Sequence, residues 1–320
     1  MIYPFFVFVS LSTVQGQNNL PNAYWEAVNL NFEKSRVPDL LDPNTPYINI
    51  YIDNLSDVLE LLFTEDKTRF SELEDNEKKR IKELRAFQND SPYLLFFESE
   101  IRMQWAFIKL KFGEQWSGAW SLRTAYKTIK RNIKQHPEFT LNQKSIGLLH
   151  IIFGAVPSRY QWLLGLFGLE GDVSLGLNEL DQISEQNDSF GFESRLIAAM
   201  VHSYLLENNT KALSFLNTNI ATTTLIENYV GALVKMKAHK ALEARTLLEK
   251  KLTNPLFQYL IGETYFQQGK YDLALSHYEE FLEKFKGINN IKDAHFKRSL
   301  SFLFLGNTKA YNEERKKVIA

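Results

Sequence analysis

The chain contains no cysteine. That excludes a disulfide scaffold, a thiolate zinc site, a redox pair, a thiol nucleophile and a lipid-bearing cysteine. Glycine and proline are scarce, at 15 and 9 in 320 residues, which argues against a fold of strands and tight turns. Neither sign of charge is in excess. The 37 basic and 38 acidic residues leave a net charge of -1, so no nucleic-acid partner is expected. No uncharged apolar run reaches the roughly 20 residues of a membrane-spanning helix, and no transmembrane segment is expected. What the chain has in plenty is apolar and aromatic. Hydrophobic residues make up 44%, with 24 Phe, 14 Tyr and 5 Trp. This is too apolar for disorder and ample for one large core or two smaller ones.

The opening residues MIYPFFVFVSLSTVQGQNN carry a compact apolar run from Phe5 to Val9. Small residues follow, and Val14-Gln15-Gly16 stands ahead of Gln17. Despite lacking an initial Lys or Arg, this is the pattern of a secretory signal peptide. Residues 1–16 are expected to be a leader. The mature chain then starts near Gln17 and is exported to the periplasm or cell envelope, where peripheral association with the envelope is open to it. Uncleaved, the segment reads as a buried strand or helix of a cytoplasmic protein.

Residues 17–46 hold Pro21, Pro38, Pro43 and Pro46 and read as an irregular lead-in. Residues 47–140 read as an N-terminal helical region. Within it Ile48, Tyr51, Ile52, Leu55, Leu59 and Leu62 have helical spacing and predict a helix over 47–63. The charged stretch 64–89, with Phe70, Leu73, Ile81 and Leu84 as its apolar positions, reads as an exposed helical hairpin arm. Ser91-Pro92 starts the next helix, where the missing proline N–H is harmless.

Residues 141–320 show internal repetition. Gly262, Tyr265, Gly269, Tyr271, Ala274 and Tyr278 stand at tetratricopeptide (TPR) spacing. Gly262 and Ala274 are small where two helices of a hairpin press together, and Gly269 ends the first helix. Phe281 departs from the pattern, which usually has a small residue there. Small residues at 176, 212, 244, 274 and 310 mark fainter copies, 30 to 36 residues apart. Stacked helical hairpins repeat at about 34 residues. The expected fold is therefore all-α: a right-handed helical-hairpin solenoid of TPR-like repeats behind a helical N-terminal region. A globular bundle is the alternative.

A second pattern covers residues 93–286. Glu98-Ser-Glu-Ile-Arg-Met-Gln-Trp-Ala leads to Gly118-Ala-Trp-Ser-Leu-Arg-Thr-Ala-Tyr-Lys. Gly147-Leu-Leu-His-Ile-Ile-Phe-Gly-Ala-Val-Pro, Phe167-Gly-Leu-Glu-Gly-Asp and Gly176-Leu-Asn-Glu-Leu follow. This order resembles the tetratricopeptide family that includes the inclusion-body clearance proteins of yeast mitochondria. The resemblance implies an all-helical repeat protein. It carries no chemistry, and no location is transferred with it.

No catalytic motif appears. The six histidines form no i, i+4 pair, so neither a metal site nor a cofactor is signalled. His150 and His202 lie in apolar runs and are expected to be satisfied core residues. Gly165, Gly168 and Gly171 follow no strand, so helix packing explains them better than a phosphate loop. Asp172 is expected to cap the next helix. Glu98 and Glu100 read as surface charges, with Glu98 pairing to Arg102 at i+4. Lys127, Lys130, Arg131 and Lys134 read as a solvated basic helix face.

What remains is recognition by a surface. First helices of successive repeats line a concave groove. By register, Tyr259, Glu263, Phe266 and Gln267 face it, with Ile197, Val201, Tyr204 and Leu205 in earlier repeats. Tyr204, Leu205, Tyr259, Glu263, Phe266 and Gln267 are the candidate partner-binding residues. The expected function is a non-catalytic protein–protein interaction scaffold for a protein or peptide. The alternative is an enzyme, or a sugar- or lipid-binding protein, with its site in an inter-helical pocket.

Overall fold

A computed structural model describes residues 20–37, 45–217, 223–249 and 254–319, and all regular structure among them is helical. The expected leader, residues 1–16, lies outside them. The N-terminal helices are α1 (Asn22–Val28), α2 (Phe32–Ser35), α3 (Pro46–Thr64), α4 (Lys67–Leu73) and α5 (Asn76–Ala86). Then come α6 (Pro92–Lys111), α7 (Gln115–Gln135), α8 (Asn142–Gly154), α9 (Ser158–Leu166) and α10 (Val173–Ser184). Helix α11 (Ser189–Met200) runs on into a π turn (Val201–Leu205) and is followed by α12 (Asn209–Ser214). The rest are α13 (Leu225–Lys237), α14 (Ala241–Leu248), α15 (Pro255–Gln267), α16 (Tyr271–Lys284), α17 (Ile291–Phe304) and α18 (Thr308–Ile319).

Local chemistry sets the ends. Pro46, Pro92 and Pro255 each open a helix. Side-chain oxygens of Asp172, Asp188 and Thr224 accept the backbone N–H of Leu175, Gly191 and Glu227. Between helices the turns share one geometry. Gly113, Glu207, His239, Gly269 and Gly306 have positive φ, and each stands two residues before the next helix. Five residues after the first four come Gly118, Ala212, Ala244 and Ala274. The three alanines are fully buried.

The same turn geometry also occurs ahead of residue 141, at Leu30 before α2, Glu65 before α4 and Gly113 before α7. The register refines one expectation. In the last hairpin the equivalent position is Tyr311, so Ala310 stands one residue short of it.

From α6 onward the strongest pairings are α6 with α7, α8 with α10 across α9, α15 with α16 and α17 with α18. The tightest approach is α8 against α10. A Cβ on Gly176 would lie 2.4 Å from the Gly147 carbonyl oxygen, and one on Gly171 2.2 Å from the Gly154 nitrogen. Helix packing thus accounts for Gly171. Gly168 serves instead by its φ of 63° in the turn, and Gly165 touches nothing.

Two N-terminal expectations change. The lead-in is not wholly irregular: α1 and α2 pack under the rest. Leu20 N–H donates to Ser189 Oγ at 3.1 Å, Trp25 meets Phe192 at 5.6 Å, and Asn29 Oδ1 accepts from Leu225 N–H at 3.1 Å. Nor is 64–89 an exposed arm. Phe70, Leu73, Ile81 and Leu84 are buried, and Phe70 stacks on Phe112 at 4.4 Å. Only the outer faces of α4 and α5 meet solvent.

Helix α3 organises the interior. Beyond the predicted stripe, Val58, Leu61 and Phe63 are buried too, so it is covered nearly all round. Tyr51 reaches Phe190 on α11 at 6.3 Å, and Phe63 reaches Tyr229 on α13 at 4.9 Å and Phe257 on α15 at 6.3 Å. Just past its end, Glu65 accepts the backbone N–H groups of Ile288 (3.0 Å) and Asn289 (2.6 Å) in the α16–α17 turn. It also pairs with Lys111. The helix and the residue after its end therefore touch α11, α13, α15 and the α16–α17 turn.

Candidate functional site

An open apolar cleft of about 410 Å³ lies between the N-terminal helices and the middle of the array. Tyr24 and Val28 come from α1, Leu55 and Leu59 from α3, Met103 and Phe107 from α6, and Leu148 from α8. The facing wall is Phe192, Leu196, Ile197 and Met200 of α11, Val201 of the π turn, and Ile226 and Val230 of α13.

Its polar side is a buried chain of bonds. Lys144 Nζ pairs with Glu100 and with Glu193, the latter at 2.9 Å. Ser145 Oγ donates to Glu100. Tyr51 donates its hydroxyl to Glu193 at 2.9 Å, and Gln104 Nε2 donates to Tyr51 at 3.4 Å. Asn54 donates to Gln104 at 2.7 Å and accepts the Trp105 indole N–H at 2.7 Å. Burial would lower the Lys144 pKa, but Glu100 and Glu193 outweigh it and the ammonium is held above the ordinary lysine range. Burial, with Glu193 next, pushes Tyr51 and Tyr24 up. The site therefore presents a charged, internally paired lysine and neutral tyrosines to an apolar space.

The expected surface charges Glu98 and Glu100 are both buried, which corrects that reading. Glu98 accepts from Arg85 (2.9 and 2.6 Å) and from Arg102 (3.1 Å). Burial alone would raise its pKa, but the two guanidiniums hold it below the ordinary glutamate range. The bond from Arg102 is the expected i, i+4 pair.

The predicted groove residues do not converge. Ile197 and Val201 line the cleft. Tyr204 and Leu205 are exposed on the π turn, where the Tyr204 hydroxyl donates to the Leu233 carbonyl at 3.4 Å. Tyr259 donates to Asp293 at 2.6 Å. Glu263 is buried, accepting from Tyr278 and from Lys297 at 2.8 Å. Phe266 packs against Tyr271 and Phe304 at 5.6 and 6.4 Å. These three knit α15 to α16 and α17 instead of lining an open groove. Gln267 is exposed and borders a separate hollow at His239–Glu243.

Sequence reasoning missed Leu55, Leu59, Met103, Phe107 and Lys144. The one available signal was the excess of apolar residues around α3, more than a single buried face needs.

Asp172 caps α10 as expected, at 2.9 Å to Leu175 N–H. His150 is bonded to Glu179 at 2.7 Å. His202 is not satisfied: it is buried, stacks on Phe215 at 5.6 Å, and neither ring nitrogen has a hydrogen-bond partner among the described residues. Burial lowers its pKa. Among the described residues no group of three or more acidic or histidine side chains is gathered for a metal ion. None of the described helices is long and apolar enough to cross a membrane. The chain matches no protein-family model and no curated protein.

Proposed function

We propose that the protein is a non-catalytic binding scaffold of the tetratricopeptide type, a right-handed stack of helical hairpins, exported to the cell envelope. In this reading its cleft receives apolar side chains of a partner protein or peptide. The observation that carries the binding reading is the open apolar cleft, whose charged groups are paired with one another. Aromatic and aliphatic walls suit an amphipathic helix or extended segment. A protonated Lys144 held between two carboxylates is a poor nucleophile, which favours binding over chemistry. The buried Ala212, Ala244 and Ala274 and the shared turn geometry support the hairpin-repeat reading. Export rests on the N-terminal sequence pattern alone.

The test is capture from the native host with wild type and with Ile197→Glu/Val201→Glu. Both side chains are half-buried on the cleft wall, so helicity and the melting midpoint should hold while the partner is lost. The same partner recovered by the folded variant overturns the cleft. A second reading, a small apolar ligand, is favoured by the volume, which lies in the range of small-molecule sites. Native mass spectrometry of the purified chain separates it: a bound lipid or other small molecule displaces the protein-partner reading.

A further inference from the structure

Helix α9 is an excursion between the paired helices α8 and α10. Its Leu164 packs on the core. Trp162, Leu166 and the following Phe167 point outward, 63%, 72% and 51% exposed. On neighbouring α7, Trp116 and Trp120 lie one turn apart and are 90% and 64% exposed. The Arg123 guanidinium lies 5.1 Å from the Trp120 ring and 6.0 Å from the Phe167 ring, joining the two helices into one patch. Three of the five tryptophans of the chain stand here. Soluble proteins rarely leave so large an aromatic patch without a partner for it.

The same stripe of α7 continues at helical spacing with Lys127, Lys130, Arg131 and Lys134, all exposed. Acidic groups near it are few: Glu170 lies 3.9 Å from Lys130, and Asp90 and Glu138 flank His136 just past the end of α7. None of these residues lines the cleft.

We propose that α7 and α9 form a peripheral docking face for an anionic lipid surface. Tryptophan and leucine on an in-plane helix favour the boundary between headgroups and acyl chains. A basic stripe beside them is drawn to phosphate headgroups over about a Debye length. The rings stand proud of the surface and do not line a cavity, which suits a bilayer better than a peptide. The net charge of -1 gives the whole molecule no attraction to such a surface, so contact is directed through this face. The expected solvated basic face of α7 thus has aromatic company that its spacing alone did not reveal.

The full chain is tested with vesicles of phosphatidylcholine, with and without phosphatidylglycerol. Wild type should sediment with the phosphatidylglycerol vesicles, shift its tryptophan emission to the blue, and release as salt rises. Trp116→Ala/Trp120→Ala/Trp162→Ala should weaken binding at least about tenfold. Lys127→Glu/Lys130→Glu/Lys134→Glu should weaken it about a hundredfold or more. All six positions are exposed, and circular dichroism checks that both variants fold. Three results overturn the proposal: no sedimentation of wild type at low salt, both folded variants binding like wild type, or a single-stranded oligonucleotide or second copy binding this face while vesicles do not.

Discussion

At the scale of residues, the structure turns apparent surface charge into interior architecture. Glu98 reads as exposed because a carboxylate belongs at the surface by default. It is buried because Arg85, thirteen positions earlier, folds back over it. Such a pairing has no local signal, since it depends on the turn between α5 and α6. Its pKa lies below the ordinary glutamate value, so the pair stabilises the fold above the unfolded value and loses its effect as pH falls through the folded one. Glu98→Gln should lower stability by roughly 2 kcal/mol at neutral pH. The gap to wild type should persist down to about pH 5 and narrow progressively as pH falls below the unfolded glutamate value of about 4.3. Urea titrations across that range check it, and a gap that widens on acidification contradicts the pairing.

At the scale of elements, helix type was legible, and so were the start at Pro92 and the cap at Asp172. Pro46, read as part of the lead-in, and Pro255, given no reading, also open helices. The small residues at 176, 212, 244 and 274 stand on α10, α12, α14 and α16. Less legible was why each glycine is present, because that depends on a neighbour in space. Gly171 and Gly165 look alike in sequence. A methyl at Gly171 meets the backbone of α8, which cannot move aside as a side chain could, whereas one at Gly165 meets nothing. Gly171→Ala should cost about 3 kcal/mol by forcing α8 and α10 apart. Gly165→Ala should be neutral or stabilise by up to about 1 kcal/mol through helix propensity. Thermal melts of the pair test this, and equal effects would mean that the close crossing is not maintained in solution.

At the scale of the whole molecule, hairpin stacks ordinarily behave as one-dimensional arrays that fray from their ends. For the proposed hairpin stack helix α3 changes that: it touches α11, α13 and α15, and Glu65 just past its end holds the α16–α17 turn. Nothing in the periodicity of residues 47–63 announces those partners; a helix apolar on most sides says only that it is surrounded. The internal contacts of the predicted groove residues were hidden for the same reason. Register names the face of α15, but not that Asp293 and Lys297 of α17 already bind it. Phe63→Ala removes a ring shared by two hairpins and should cost about 3–5 kcal/mol. Wild type should unfold in urea in one transition by circular dichroism and by tryptophan fluorescence alike. The variant should separate the two curves. Two transitions in wild type would show that α3 does not couple the hairpins.

The reach of Glu65 also sets an order of events during synthesis. Its backbone partners lie 223 and 224 residues downstream. At usual elongation rates they leave the ribosome on the order of ten seconds or more after it. Helix α3 can pack early on α1, α5 and α6, but Glu65 waits until the turn that supplies its backbone partners has been made. The late turn is thus tied back to the early helix only once most of the chain has been made.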